Sequence, residues 1–364
     1  MRLELVVRKE ERKTVIHLGE SLLPEMKRHL LAKHHKNPIV LLVDANVLRL
    51  HGRLLRMHLQ EFRPLIVSVP SGEHSKTREM KARVEDTLLQ NGIGKDSVII
   101  AIGGGVTGDL AGFVASTFSR GVPFINVPTT LLAMVDASIG GKTGVNTSKG
   151  KNLIGTFFPS EAVFIDTHFL KTLSEPEFKA GLVEVLKIAL ARDARFFRFL
   201  QKNAKSILRR EPKALLEVIH RSVALKKAIV EADPEERGPR QVLNVGHTMG
   251  HALEASSQFR ISHGEAVVRG MLFETLLAQK AGCLSPKERK EILATFTRFG
   301  FPVNARIPPL KKLALFLAAD KKSKQGKPRF VLLKGIGKTV STKGQHAFEV
   351  RPALIRACVE ELHD

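Results

Sequence analysis

Five short, mostly apolar runs constrain this chain most: Pro38–Asp44, Pro64–Val69, Ser97–Ile102, Phe124–Val127 and Ala162–Asp166. They are rich in β-branched residues and too short for typical helices. A strand with one wet face alternates apolar and polar residues. A continuous apolar run needs cover on both faces, which is the condition of a parallel sheet between helices. Helical periodicity runs between them over Lys76–Gln90 and Gly108–Ser119. The first half therefore predicts a Rossmann-like α/β domain. A hairpin pattern at about residues 2–8 and 13–18 adds expected edge strands.

Beyond about residue 172 the period changes. Helical patterns cover Glu175–Arg192, Lys213–Ala232, Arg240–Ser256, Glu265–Lys280, Pro286–Arg298 and Pro309–Ala319, and one late strand is expected in Pro328–Leu333. The 364 residues are enough for two cores. The expectation is an α/β protein, with residues 1–172 a Rossmann-like domain containing a parallel sheet and residues 173–364 a mainly α-helical domain.

The chain carries 58 basic against 36 acidic residues, a formal charge of +22. Such a field attracts anionic small molecules or nucleic acid. The basic residues are scattered, and Trp and Tyr, two of the usual stacking residues for single strands, are absent. An anionic small-molecule partner is expected rather than nucleic acid. No apolar run reaches the roughly 18 residues of a membrane span, and the opening Met1–Leu5 lacks the plan of a signal peptide. Two distant cysteines, Cys283 and Cys358, do not form a disulfide framework or a cysteine zinc site. A cytoplasmic location without membrane association is expected.

Several segments carry chemistry. Gly103–Asp109 follows a strand and opens a helix, so free helix N–H groups there can meet a pyrophosphate; a purely structural glycine turn is the alternative. Asp44 ends a strand, where its carboxylate can accept from a ribose hydroxyl or cap a helix. Ser71–Thr77 sets Glu73 and Lys76 in a loop where a nucleotide would lie, or simply starts a helix with a solvated lysine. In Pro128–Asn146, Asp136 and Lys142 interrupt a small or apolar run, and Lys151-Asn152 follows. Buried charges there need partners or a ligand.

Glu184 and Lys187 stand three apart among Leu182, Val183, Val185 and Leu186, readable as a metal-ligand carboxylate or as an i,i+3 ion pair on a solvated face. In Asn244–His251, His247 and His251 share one helical face, and His263 follows with Gly264 and Glu265. Two imidazoles and one carboxylate with open positions are the donor set of a catalytic zinc site. Spacing alone pairs His247 with His251.

Taken together and in this order, from about residue 38 to 340, these segments resemble the 3-dehydroquinate synthase family of the sugar-phosphate cyclases. The resemblance implies NAD and one divalent metal, zinc or cobalt, as cofactors. It implies a phosphate-eliminating lyase of the shikimate pathway to aromatic amino acids, turning 3-deoxy-D-arabino-heptulosonate 7-phosphate into 3-dehydroquinate and phosphate. NAD would oxidise the C5 alcohol and later return the hydride, with elimination and intramolecular aldol closure completing the ring. A cytoplasmic homodimer is implied as well.

Residue by residue, the resemblance makes Glu184, His247 and His263 the metal ligands, in place of the His247–His251 pair. His251 becomes an acid or base near the substrate phosphate. The nucleotide set is Asp44, Ser71, Gly72, Glu73, His74, Ser75, Lys76, Gly105, Val106, Thr107, Gly108, Asp109, Thr129, Thr130, Lys142, Lys151, Phe169, Leu170, Lys171 and Thr172. The substrate set is Asp136, Lys142, Asn152, Lys187, Lys226, Arg240, Asn244, His251 and Lys321 or Lys322, with Lys322 preferred. Of these, His251, Lys142, Asn152, Lys187, Arg240 and Asn244 are expected to take part in catalysis. Phe118 and Phe158 stand where relatives often carry tyrosine. The rival readings are another sugar-phosphate cyclase, an NAD- and metal-dependent polyol dehydrogenase, and a nucleic-acid binder.

Overall fold

The computed structural model describes residues 12–148, 150–236, 238–258, 260–304, 306–319 and 327–363. It divides into two compact units, Met1–Thr129 with Gly140–His168, and Thr130–Ile139 with Phe169–Asp364.

In the first unit the order is β1 (Val15–Gly19), α1 (Leu23–His34), β2 (Ile39–Asp44), α2 (Ala45–Leu59), β3 (Leu65–Val69), α3 (Arg78–Gln90), β4 (Val98–Gly103), α4 (Gly105–Thr117), β5 (Phe124–Pro128), β6 (Lys142–Thr147), β7 (Gly150–Phe157) and β8 (Ala162–Asp166). Six strands form one sheet in the order β1-β8-β5-β4-β2-β3, and every neighbouring pair is parallel. The five apolar runs are its five inner and edge strands β2, β3, β4, β5 and β8. Burial follows position. Every residue of β4, β5 and β8 is buried, whereas edge strand β3 alternates between half-buried and exposed. The core gathers Val40, Leu42, Ile99 and Ala101 from the sheet with Val84, Leu88, Leu110 and Val114 from the helices.

Residues 13–18 largely form the other edge strand, but β1 runs parallel to β8, with Val15 opposite Ala162. Residues 2–8, the expected hairpin partner, lie outside the described ones. Helices α1 and α2 and the antiparallel β6–β7 ribbon were not expected from the sequence. The chain passes from β2 to β3 on one side and returns to β4 on the other side of β2. The sheet's topological switch point therefore lies between β2 and β4, and in open α/β sheets ligands bind outside the carboxyl ends of the strands there.

The second unit opens with a π-helical turn at Ala133–Ala137. It continues with α5 (Glu175–Arg192), α6 (Ala194–Leu208), α7 (Pro212–Ala232), α8 (His247–Ser256), α9 (His263–Lys280), α10 (Pro286–Arg298), α11 (Leu310–Ala319), β9 (Arg329–Val331), β10 (Leu333–Gly335), β11 (Lys338–Thr339), β12 (Ala347–Glu349) and α12 (Pro352–His363). The expected single helix over Arg240–Ser256 is broken. A 3-10 turn covers Pro239–Asn244, and Gly246, at φ 77°, turns the chain before α8 starts at His247. Helix α9 starts at His263, two residues earlier than the periodicity indicates, because Ser262 caps it by accepting from the Glu265 amide at 3.3 Å. No described helix is long and apolar enough to cross a membrane. Cys283 and Cys358 are both free.

Candidate active site

The first unit sets Asp44, Ser71–Lys76, Gly105–Asp109 and Thr129 of the expected nucleotide residues at or beyond the carboxyl ends of β2, β3, β4 and β5. Asp44 caps α2, accepting from the amides of Asn46 at 2.9 Å and Val47 at 3.3 Å. It also accepts from the Ser71 hydroxyl at 2.7 Å, which joins the ends of β2 and β3. The capping alternative for Asp44 is thus realised, alongside a position at the switch point. Lys76 is buried rather than solvated and is ion-paired with Asp109 on α4. Asn146 ties the ribbon to the same loop, donating to Glu73 at 2.7 Å and to the Lys76 carbonyl at 2.8 Å.

Helix α4 starts after Gly104, which offers no side-chain cap. The first-turn amides of Gly105, Val106 and Thr107 are left for an anion. The glycines of this loop do not adopt left-handed torsions. They serve close approach instead, since a Cβ on Gly103 would lie 2.5 Å from the Thr107 hydroxyl. Thr129 closes the row, its amide donating to the Gly103 carbonyl at 2.9 Å. Gly72 enters the 3-10 turn Glu73–Ser75 at φ 105°, which also holds His74. On the ribbon, Lys142 and Asn152 are exposed and Lys151 is half-buried. The Asn152 amide donates to the Asn146 side chain at 3.0 Å.

Thr130 belongs to the second unit, its hydroxyl accepting from the Ala133 amide at 3.2 Å. So do Phe169, Leu170, Lys171 and Thr172. Phe169 and Leu170 are buried, and the Leu170 carbonyl accepts from Arg210 at 2.9 Å.

The second unit brings Glu184, His247 and His263 together. One ligand atom from each lies within 4.8 Å of the others. Glu184 is 4% exposed in the middle of α5. Its Oε2 is ion-paired with Lys187, one turn on. Its Oε1 accepts no hydrogen bond and lies 3.8 Å from His247 Nε2 and 3.9 Å from His263 Nε2. The i,i+3 ion pair forms, but buried rather than on a solvated face, and it leaves Oε1 turned toward the two histidines.

The other face of each ring is engaged. His247 Nδ1 lies 3.1 Å from the Val245 carbonyl, and His263 Nδ1 lies 3.1 Å from Glu254 Oε2. A carbonyl only accepts, so His247 Nδ1 carries the hydrogen and its Nε2 keeps the lone pair, while Nε2 is likewise the His263 nitrogen turned toward Glu184. Bonds of about 2.0–2.2 Å place the donors of a tetrahedral zinc ion roughly 3.3–3.5 Å apart, so a small inward shift closes the shell. The orphaned buried oxygen and the two lone pairs fit a divalent transition ion. His251 stands beside this group, its ring edge-on to His247 with centroids 5.5 Å apart.

Next to the metal-type cluster is a group of buried cations, Lys187, Lys226 and Arg240. Lys226 Nζ donates to Asp136 Oδ1 and to the Asp136 carbonyl, both at 2.5 Å. The π-helical turn presents Asp136. Burial would raise the Asp136 carboxyl, but Lys226, Lys187 and Arg240 hold it well below the usual carboxylate range. Burial would lower Lys187, but the carboxylates of Glu184 and Asp136 raise it. Burial wins at Lys226 and Arg240 and lowers both. Arg240 is 3% exposed and donates to the Pro234 carbonyl at 2.6 Å. Asn244 donates to Glu236 Oε1 at 2.8 Å. The sequence reading passed over Glu236, because one carboxylate in a polar loop carries no periodic or spacing signal. Lys321 and Lys322 lie outside the described residues.

A six-stranded parallel sheet with a glycine loop at its switch point, joined in one chain to a helical unit bearing two histidines and a carboxylate, is the architecture of the sugar-phosphate cyclases. Solved structures agree. 2-Epi-5-epi-valiolone synthase from Streptomyces hygroscopicus subsp. jinggangensis 5008, with NAD+ and Zn2+ bound, is similar at TM-score 0.86 and 29% identity, covering 100% of this chain and 99% of its own. A 2-deoxy-scyllo-inosose synthase complexed with carbaglucose-6-phosphate, NAD+ and Co2+ is similar at TM-score 0.86 and 26% identity, covering 96% of each chain. Within that class the sequence is more specific. Family models described as 3-dehydroquinate synthase N-terminal and C-terminal match residues 66–180 and 181–323. The 3-dehydroquinate synthase of Acidithiobacillus ferrooxidans (strain ATCC 53993 / BNL-5-31) is 41% identical over 95% of this chain and 94% of its own length. The chain belongs to the 3-dehydroquinate synthase family.

Proposed function

We propose that this chain carries out the reaction of its family, converting 3-deoxy-D-arabino-heptulosonate 7-phosphate to 3-dehydroquinate and phosphate with catalytic NAD and one zinc or cobalt ion. The observation that carries the proposal is the convergence of Glu184, His247 and His263 beside the buried cations Lys187, Lys226 and Arg240. Residues 1–172 are assigned to NAD and residues 173–364 to metal and substrate. The finer reading includes a cytoplasmic homodimer.

Glu184, His247 and His263 would hold the ion. When bound, the metal supplies Lewis acidity at a substrate oxygen, and NAD supplies hydride acceptance and return. The chain's own residues do the rest. Asp44, Ser71–Lys76, Gly105–Asp109, Thr129, Thr130, Lys142, Lys151 and Phe169–Thr172 are assigned to the nucleotide. Lys187, Lys226 and Arg240 supply cations for an anionic substrate. Arg240 can meet a carboxylate in a bidentate manner. Asp136 holds Lys226 by a direct ion pair, and its charge favours the charged forms of all three cations. Lys142, Asn152, Asn244 and Lys322 complete the polar set. His251 is placed to hold a proton beside the reacting groups, or to release it.

The test is release of inorganic phosphate from the heptulosonate phosphate, with substrate, NAD and divalent ion omitted in turn. Phosphate should appear only with all three present, and no NADH should accumulate. Net NADH formation would favour the polyol dehydrogenase. Turnover of a heptulose phosphate lacking the carboxylate, in preference to the acid, would favour another cyclase. Arg240→Ala should raise the KM for the substrate by about tenfold to a hundredfold, as expected for one charge-assisted contact of roughly 1.5–3 kcal/mol. The NAD dissociation constant should hardly move. Equal weakening of both would argue against the carboxylate role.

A further inference from the structure

We infer that Glu254 is a positioning residue for the metal centre, its carboxylate fixing the orientation and tautomer of His263. The inference rests on the ligand set proposed above. Glu254 lies on α8, the helix that begins with His247, and is 4% exposed, directly after buried Ala252 and Leu253. A buried carboxylate in apolar surroundings is costly without strong partners. Its Oε2 meets His263 Nδ1 at 3.1 Å.

The two histidines differ in what restrains them. The His247 side chain is 13% exposed and is held by the carbonyl of Val245, two residues back in its own chain segment. The His263 side chain is 37% exposed and stands first on α9. A half-open ring at a helix start has free rotamers unless it is tethered. Glu254 supplies the tether and links the first residue of α9 to α8. It also sets Nδ1–H, so Nε2 faces Glu184 with its lone pair. A negative charge behind the ring raises the basicity of that nitrogen, as carboxylates behind metal-bound histidines do.

The experiment uses the full-length chain. Zinc affinity is measured against a chromophoric chelator, and the d–d absorption of bound Co2+ is recorded, for wild type, E254A, E254Q and H263A. E254A should bind zinc roughly tenfold to a hundredfold more weakly and shift the Co2+ spectrum. E254Q, whose amide oxygen still accepts from Nδ1, should recover part of both. The inference is overturned if E254A keeps the metal-free thermal midpoint of wild type and binds both ions as wild type does. A second measurement needs no variant. Histidine 15N shifts of the metal-free wild type, well above the histidine pKa, should show His263 protonated at Nδ1; protonation at Nε2 overturns the inference. H263A separates the two proposals. If it binds metal like wild type, the ligand set itself is wrong. If it loses the metal while E254A does not, only the role of Glu254 fails.

Discussion

His247→Ala should lower phosphate release by on the order of a thousandfold or more, because a Lewis acid contributes several kcal/mol and each 1.36 kcal/mol is a factor of ten. The imidazole is one of two that converge on Glu184 Oε1, at 3.8 Å. Its removal leaves one nitrogen and one carboxylate oxygen, too few for a three-ligand catalytic site. The fold should survive, because His247 occupies the first position of α8 and its side chain is not part of the apolar core. NAD binding should survive as well. The Asp44–Ser71, Lys76–Asp109 and Glu73–Asn146 contacts that shape the nucleotide loops all lie within the first unit. Metal content after dialysis and NADH fluorescence report the two properties separately. The absence of Trp and Tyr keeps the protein background low in the second. A metal-free His247→Ala preparation with wild-type turnover would remove the ligand assignment.

How far the site was readable depended on what kind of signal each residue left. The sheet was legible because strands covered on both faces must be largely apolar, and β2, β4, β5 and β8 are, save Asn126 and the terminal Asp44 and Asp166. The β6–β7 ribbon was not, because Lys142–Phe157 is held by backbone pairing and carries little apolar alternation. Helix α2 hid between β2 and β3 because its sequence is dense in Arg and His, with only a narrow buried stripe of His51, Gly52, Leu55 and Leu59. At the metal cluster, spacing on one helix pointed to His247 and His251. The structure instead gathers His247 with His263, from the starts of two different helices, and Glu184 from a third. Such a grouping has no period along the chain, so only the family resemblance named it. Glu254 and Glu236 left no signal of either kind. Their meaning comes from what they touch, a ring nitrogen and a side-chain amide.

The same crossing of α8 and α9 makes the second large effect come from a glycine that does no chemistry. Gly270→Ala should destabilise the chain by about 3 kcal/mol, at the upper end of ordinary overpacking, and weaken metal binding with it. A Cβ on Gly270 would lie 1.9 Å from the Gly246 carbonyl oxygen and 2.9 Å from the Gly250 amide nitrogen. Both obstacles are backbone, so no side-chain rotation can relieve them. Gly246 cannot yield easily. It turns at φ 77°, its own Cβ position is blocked by Met271 N at 2.8 Å, and its amide donates to buried Glu274 at 2.8 Å. The helices must therefore separate. His247 follows Gly246 directly on α8, while His263 begins α9, so separation moves one ligand away from the other. Thermal unfolding of the metal-free chain reads the first effect, and zinc competition reads the second. Lost stability with unchanged zinc affinity would mean that the metal cluster is held by its side-chain contacts alone. Coupled loss would mean that the distance between the two imidazoles is set by how closely two backbones can approach.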